Sequence, residues 1–238
     1  MNILLLHGAT LNRPMWAPIE AQLASHRHTC EAIDLPGHGE HRDGRFSMSE
    51  AVTPAETTIR GSFLEPSVVI GSSLGGYVAI ELATRSPTLV SALILSGATA
   101  EFRGIWSAIA LGTAFFNGFA SDRRLVKAQE QYVRRIAPDH ADAIIAPGIA
   151  PAGGNDALRH VRGVQYCDMI AALQIPVQIV NGSRDSRNTA AAAALDALPH
   201  VSIETIDGAV HLCSLEQPEA FARCVLDFLE PDAIARQA

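Results

Sequence analysis

Short apolar runs alternate along the chain with longer mixed segments, and this pattern predicts the elements of the fold. Several of the runs are apolar at every position, as expected for strands that are covered on both faces of a sheet. Helix-forming segments separate them, which is the order of an α/β protein with a mostly parallel sheet flanked by helices. The predicted strands are Ile3–Leu6, Thr29–Ile33, Val68–Gly71, Ala92–Leu95, Val177–Val180 and Ile203–Ile206.

Helix signals lie between these runs. Pro14 suits the first turn of a helix that runs toward Ala24, and Pro54 has the same preference within Thr53-Pro54-Ala55-Glu56, which has the spacing of a capping box. The remaining predicted helices of the repeating pattern are Leu74–Arg85, Arg187–Leu198 and Pro218–Leu229.

One long segment between Leu95 and Val177 interrupts the alternation of strands and helices, because it contains no convincing strand. It holds an apolar helical stretch, a charged helical segment over Ser121–Ile136 and a loose Ala/Pro/Gly region over Ile145–Asn155. We therefore expect a core formed by residues 1–97 and 176–238, with a helical cap or lid inserted at residues 98–175.

Composition narrows the class of protein. A length of 238 residues suits one sizeable domain, and the net charge of −7 argues against nucleic acid as a partner. The four cysteines show no CxxC pairing, the N-terminus has no basic leader, and the apolar region of residues 104–120 is too short to cross a bilayer. We expect a cytoplasmic protein without membrane insertion that acts on a small molecule.

A strand-to-helix corner carries the first chemical signal. Gly71-Ser72-Ser73-Leu74-Gly75 matches G-x-S-x-G, in which a sharp turn exposes the central hydroxyl at the start of a helix. Glycines two positions either side remove the side chains that would collide there. Ser72 does not fit this register, because Ile70 and Leu74 would flank it. The alternative is a small-residue turn with an incidental serine.

Further motifs follow the other predicted strands. They are His7-Gly8, Asp34-Leu35-Pro36-Gly37-His38-Gly39, Asn181-Gly182-Ser183-Arg184-Asp185, and His211 within GAVHLCSLEQPEAF. Together with the serine corner, these motifs resemble those of the α/β-hydrolase superfamily, in the same order and over nearly the whole chain. The resemblance implies an α/β-hydrolase fold whose cap is the inserted segment. The sequence has no adenine- or flavin-type phosphate fingerprint, so no organic cofactor is expected.

The resemblance also implies a catalytic triad of Ser73, Asp185 and His211. A serine hydroxyl needs a nearby base, imidazole can take and return its proton, and a carboxylate fixes the imidazole tautomer. Glu101 is the alternative acid, and His211 could instead be a packed core histidine. Cys213 lies two residues beyond His211 and is interpreted as a buried structural thiol.

The oxyanion of the reaction would lie between the backbone N–H groups of Leu74 and Ala9, with Thr10 as the fallback for the second donor. The tentative pocket residues are His7, Trp106, Phe115 and Phe116. The three aromatic residues could equally form the core of the cap, and His7 is better explained as a brace for the oxyanion loop. His7, His38 and His41 lie on different loops without a ligand spacing, so no metal is expected.

Five basic residues follow the apolar stretch and could meet an anionic substrate, although a solvated helix face is the simpler interpretation. They are Arg123, Arg124, Lys127, Arg134 and Arg135.

The sequence therefore predicts a serine hydrolase, a carboxylic ester hydrolase that cleaves a small to medium apolar ester through an acyl-enzyme on Ser73. Lactones, thioesters and amides are neighbouring substrates. Carbon–carbon bond hydrolysis or a lyase reaction on the same triad, and a receptor-like ligand-binding protein with little turnover, are the alternatives.

Overall fold

A single parallel sheet forms the centre of the molecule, which we describe from a computed structural model over residues 1–63, 65–105, 107–108, 112 and 122–230. Six strands occur in the order β2-β1-β3-β4-β5-β6, and every pair of neighbours is parallel. The strands are β1 Asn2–Leu6, β2 Thr29–Ile33, β3 Ser67–Ser72, β4 Val90–Ser96, β5 Val177–Gly182 and β6 Val201–Ile206. All six predicted strands are present, and the fold class is confirmed.

Helices cover both faces of the sheet. The α-helices of the described residues are α1 Ala17–Ser25, α2 Met48–Thr58, α3 Leu74–Arg85, α4 Asp122–Ile136, α5 Ala141–Ile145, α6 Pro151–Val161, α7 Tyr166–Ala172, α8 Ser186–Ala193, α9 Cys213–Glu216 and α10 Pro218–Leu229. Short 3-10 turns lie at Arg13–Trp16, Gly39–His41 and Pro87–Leu89, and a π-helical turn lies at Ile59–Phe63.

The side chains of each strand alternate between two apolar cores. Leu4 and Leu6 point to a core that α2, α3 and α7 complete, whereas Ile3 and Leu5 point to a core that α1 and α10 complete. Burial on both faces explains why the inner strands β1, β3, β4 and β5 read as mainly apolar runs, whereas the edge strands β2 and β6 are partly exposed and carry polar residues.

The helix after β2 begins six residues earlier than Pro54 suggests. Ser47 is the residue that caps α2: its Oγ accepts from the backbone N–H of Glu50 and donates to the Glu50 carboxylate. The N-cap of this helix is therefore Ser47, paired with Glu50, and the prediction of a cap at Thr53–Glu56 is wrong. Pro54 lies inside the helix, where it leaves the Glu50 carbonyl without a helical donor; Glu50 is exposed, so water can hydrate that group.

Helices occupy most of the described part of the inserted segment. The charged stretch forms α4 as predicted, but the region expected to be loose contains the start of α6 at Pro151, a residue type that suits a first helical turn. The predicted helix over Arg187–Leu198 ends earlier, at Ala193. Division of the chain into a core and a cap stays a prediction.

Candidate active site

Ser73 occupies the strained corner between β3 and α3. Its backbone has φ 49° and ψ −112°, a conformation that L-residues rarely adopt and that is commonly found at functional sites. A Cβ atom at Gly71 would collide with the backbone of Gly75, and one at Gly75 would collide with the carbonyl of Leu6. The glycines on both sides are therefore required by the close packing of this corner, as the sequence pattern predicts.

A continuous hydrogen-bond chain joins the three predicted triad residues. The distance from Ser73 Oγ to His211 Nε2 is 2.9 Å, and that from His211 Nδ1 to Asp185 Oδ2 is 2.6 Å. An ionised carboxylate can only accept, so the Nδ1 atom carries the proton and Nε2 is free to accept from the serine hydroxyl. The side chain of Asp185 is 11% exposed and that of His211 is 44% exposed, so the carboxylate is sheltered while the imidazole reaches solvent.

Asp185 is held at the end of β5 by the start of the next helix. It is the N-cap residue of α8, and its side chain accepts from the backbone N–H of Asn188. Burial alone would raise the pKa of Asp185, but hydrogen bonds and charge from His211, together with hydrogen bonds from Asn188, outweigh it and lower that pKa below its ordinary value. The carboxylate therefore stays ionised beside the imidazole.

The loop that carries His211 is fixed on both sides. The backbone N–H of Val210 donates to Glu216 Oε2 at 2.6 Å, which explains the glutamate five residues after the histidine. On the other side lies Gly97, at φ 63°, where a Cβ atom would come within 2.8 Å of His211 Cε1. The imidazole thus packs directly on the backbone of the loop after β4.

The other candidate residues lie outside the hydrogen-bond chain that joins Ser73, His211 and Asp185. Glu101 Oε1 accepts from the backbone N–H of Cys167, and its other oxygen pairs with Arg103. Ser72 is fully buried. Cys213 is buried with Sγ 3.2 Å from Ser96 Oγ, and burial raises its thiol pKa to about 11. These positions are those of structural residues, and the geometry at Asp185 is that expected of the triad acid.

His7 holds two loops together through hydrogen bonds to their backbones and does not line the pocket. It is completely buried; its Nε2 atom accepts from the N–H of Leu35 at 3.0 Å, so Nδ1 carries the proton and donates to the carbonyl of Gly8 at 2.8 Å. The expectation that it lines the pocket is corrected by this burial. Burial first, and then the neighbouring ring of His38, lower the pKa of His7 to about 3, so it is neutral at ordinary pH.

The two residues predicted to supply the oxyanion donors are close to the nucleophile. Leu74 is the first residue of α3, so its N–H has no acceptor within the helix, and the helix N-terminus favours negative charge. Ala9 and Leu74 line the same cavity as Ser73. Thr10, the alternative donor, has φ 67°, an uncommon value for a β-branched residue, and lines the cavity next to it.

The cavity at Ser73 is small and apolar, with a volume of about 50 Å³. A larger cavity of about 490 Å³ adjoins it between α4 and α6, and the two share Ala9, Gly154 and Leu158. Gly154 permits this arrangement, because a Cβ atom there would come within 2.6 Å of Thr10 Cγ2. The remaining residues that line the smaller cavity are Leu74, Tyr77, Phe102, Ala157 and Val161.

Several of these lining residues are absent from the sequence-based expectation. Tyr77 could have been found, because it lies four residues after Ser73 and therefore on the same face of α3. Leu158 and Val161 lie on α6 and Phe102 lies on a separate segment of the insertion, and no local pattern links them to the serine. Trp106, Phe115 and Phe116, the expected aromatic pocket residues, lie outside the described residues.

The five basic residues of the insertion lie on α4 and are all exposed. Arg134 pairs with Asp142 at 2.7 Å, and the guanidinium of Arg135 lies over the ring of Tyr132. This is the solvated helix face of the simpler interpretation.

Metal ligands and membrane-spanning helices can be assessed for the described residues. Three or more potential metal ligands do not come together among them, although the rings of His7 and His38 lie 5.2 Å apart. None of the helices in this part of the chain combines the length and apolar character needed to cross a bilayer.

Comparison with known proteins agrees with this geometry. A sequence model of the alpha/beta hydrolase family matches residues 3–224. A pimeloyl-[acyl-carrier protein] methyl ester esterase of Neisseria meningitidis is 28% identical over 96% of this chain and 93% of its own length. The enzyme of that name from Pseudoalteromonas atlantica is 31% identical over 78% of this chain and 76% of its own length.

Among solved structures, a carboxylesterase from Nitrososphaera gargenis superposes with a TM-score of 0.79. The match covers 100% of this chain and 92% of that one at 16% identity, which is a likeness of fold.

Proposed function

The chain belongs to the alpha/beta hydrolase family, and from that premise we propose that it is a carboxylic ester hydrolase that works through an acyl-enzyme on Ser73. The observation that carries the proposal is the unbroken hydrogen-bond chain from Ser73 through His211 to Asp185. The methyl ester esterases among its relatives support the same class of reaction.

The reaction follows from the positions of these groups. Ser73 Oγ attacks the ester carbonyl while its proton passes to His211 Nε2, and Asp185 stabilises the imidazolium. The N–H groups of Ala9 and Leu74 would stabilise the tetrahedral oxyanion. Collapse of this intermediate expels the alcohol, which takes the proton from Nε2. Water then attacks the acyl-enzyme, loses its proton to His211, and releases the carboxylic acid with the regenerated serine.

The two adjoining cavities indicate the shape of the substrate. The space beside Ser73 suits a group of a few atoms, whereas the larger cavity between α4 and α6 suits a longer apolar chain. We assign the substrate to esters with one short and one long substituent, such as methyl esters of medium-length carboxylic acids. The two bacterial relatives are named as methyl ester esterases, and a methyl ester of an acyl chain has this shape.

A panel of esters tests the proposal. Wild-type protein should hydrolyse methyl octanoate and octyl acetate, each with one short side, much faster than octyl octanoate, and Ser73→Ala should hydrolyse none of them above background. Equal rates on all three esters would contradict the assigned shape. No ester hydrolysis, together with cleavage of a dienoate carbon–carbon bond, would favour the alternative reaction of the same triad.

A further inference from the structure

Asn188 is a buried amide in the first turn of α8, three residues after Asp185. We propose that Asn188 is a positioning residue, which holds the Asp185 carboxylate where it accepts from His211. The inference rests on the proposed function, because it gives Asp185 the role of triad acid.

The first observation is that one oxygen of Asp185 has two donors. Its Oδ2 atom accepts from His211 Nδ1 at 2.6 Å and from Asn188 Nδ2 at 2.8 Å. The other oxygen, Oδ1, accepts from the backbone N–H of Asn188 at 3.4 Å. Asn188 therefore contacts both oxygens, so rotation of the carboxylate away from the imidazole would break bonds to Asn188 as well as the bond to His211.

The amide of Asn188 is itself fixed by the loop after β4. Its Oδ1 atom accepts from the backbone N–H groups of Thr99 at 2.9 Å and of Ala100 at 2.8 Å. The Thr99 hydroxyl also donates to the backbone carbonyl of Asn188 at 2.8 Å. Two N–H donors on Oδ1 determine which way the amide faces, so Nδ2 must point at Asp185.

The same loop also contacts the base. Gly97, two residues before Thr99, packs against the His211 ring, and Ala100 accepts a hydrogen bond from Tyr77, which lines the cavity at Ser73. Asn188 thus connects the carboxylate to the backbone on which the imidazole rests. A rigid connection of this kind keeps the acid and base at a fixed separation, which catalysis by a triad requires.

Two variants separate this role from simple packing. Asn188→Ala removes the side-chain donor to Asp185. Thr99→Val removes a hydroxyl from the same cluster but keeps both donors to the carboxylate, and so serves as the matched control. With p-nitrophenyl acetate as the probe, we expect Asn188→Ala to lower kcat by roughly 10- to 100-fold, by analogy with the loss that follows removal of the hydrogen-bond partner of a metal ligand, with KM almost unchanged. Thr99→Val should lower the melting temperature with little change in kcat.

Proton NMR provides a readout that does not depend on turnover. The shared proton between His211 Nδ1 and Asp185 should give a strongly downfield resonance in wild type, which Asn188→Ala should shift or broaden and Thr99→Val should leave in place. An unchanged resonance and kcat in folded Asn188→Ala would overturn the inference. Were wild type itself inactive on esters, the proposed function would fail, and the resonance would still decide the role of Asn188.

Asn188→Asp covers the case in which the alanine variant does not fold. The new carboxylate still accepts from the N–H groups of Thr99 and Ala100, but it places a second oxygen against Asp185. Repulsion between the two carboxylates should grow as the pH rises, so kcat should fall further below that of wild type at higher pH. The groups that act on the Asp185 carboxylate include His211 and Asn188, and Tyr77, Tyr132 and Cys213 lie within range of its charge. A wild-type kcat at every pH would contradict the inference.

Discussion

Two histidines, each next to a carboxylate, sit at the carboxyl ends of strands in this molecule, and their surroundings give them opposite properties. His211 contacts Asp185 at 2.6 Å and Ser73 at 2.9 Å, and nearly half of its side chain is exposed. His7 lies 3.9 Å from Asp34, is completely buried, and uses both ring nitrogens on backbone groups. An imidazole beside a carboxylate is therefore not by itself a candidate base; the proposal for His211 depends on the contact of its second nitrogen with a hydroxyl.

The carboxylates differ in the same way. Asp185 directs one oxygen at an imidazole, whereas Asp34 accepts from two backbone N–H groups, those of Arg13 at 2.7 Å and Glu40 at 3.0 Å. Asp34 thereby closes the turn after β2, and a Cβ atom at Gly39 would collide with it. Asp34 thus fixes the shape of the loop after β2, which lies beside the loop of His7 and Ala9.

Removal of each imidazole in turn should give the largest difference in kcat between the two sites. His211→Ala should lower kcat on p-nitrophenyl acetate by up to about 10⁶, the loss seen when a triad base is removed. His7→Ala should lower the free energy of unfolding by about 1–3 kcal/mol, because a buried N–H loses its acceptor. Its kcat should fall by less than the roughly 10²–10³ that loss of an oxyanion donor costs. Steady-state kinetics and chemical denaturation measure both effects; equal losses of kcat would contradict the distinction.

Replacement of each carboxylate by its amide should give the next contrast. Asp185→Asn should lower kcat by about 10⁴, because an amide can donate to the imidazole and so favour the wrong tautomer. Asp34→Asn keeps one acceptor oxygen for its two N–H donors, so we expect a loss of about 1 kcal/mol in unfolding free energy and little change in kcat. A severe loss of kcat in folded Asp34→Asn would show that the turn takes part in catalysis.

The pH dependence of stability should give the smallest contrast. Because the pKa of His7 is lowered from 6.5 to about 3, the unfolded chain binds its proton between these values while the folded protein does not. The stability that His7 contributes as a neutral residue is complete above about pH 6.5 and is lost as the pH falls toward about 3. Between pH 7 and pH 5 this loss amounts to about 2 kcal/mol.

Denaturant titrations at several pH values measure that loss, with His7→Gln as the control, since glutamine does not titrate. The variant should lose less stability than wild type between pH 7 and pH 5. Parallel curves for the two proteins would show that His7 is not the group responsible.

The sequence predicts the sheet well, and it nominates the three residues proposed as a triad, because both depend on local patterns. Strands buried on both faces give apolar runs, and the serine corner requires glycines where Gly71 and Gly75 occur. The helix start predicted at Pro54 is too late, because Pro54 is a strong local signal for a first turn and Ser47-Met48-Ser49-Glu50, which has the same S/T-x-x-E spacing, is the pair that caps α2. Two local signals thus compete in the sequence, and their spacing alone does not decide between them.

The supporting residues of the site could not be predicted in this way. Asn188 accepts a hydrogen bond from Thr99, which is 89 residues away in the sequence, and Leu158 lines the cavity at Ser73 from a helix of the insertion. Such contacts depend on how elements that are distant in the sequence pack together, and no residue spacing along the chain predicts them.

Covalent labelling of the serine tests the central claim most directly. Wild-type protein and Ser73→Ala are incubated with a small fluorophosphonate, and the intact mass of each is then measured. We predict one adduct on wild type and none on the variant, because only a serine activated by His211 attacks this reagent rapidly. A folded wild-type protein that forms no adduct, or an adduct that persists in Ser73→Ala, would contradict the assignment of Ser73 as the nucleophile.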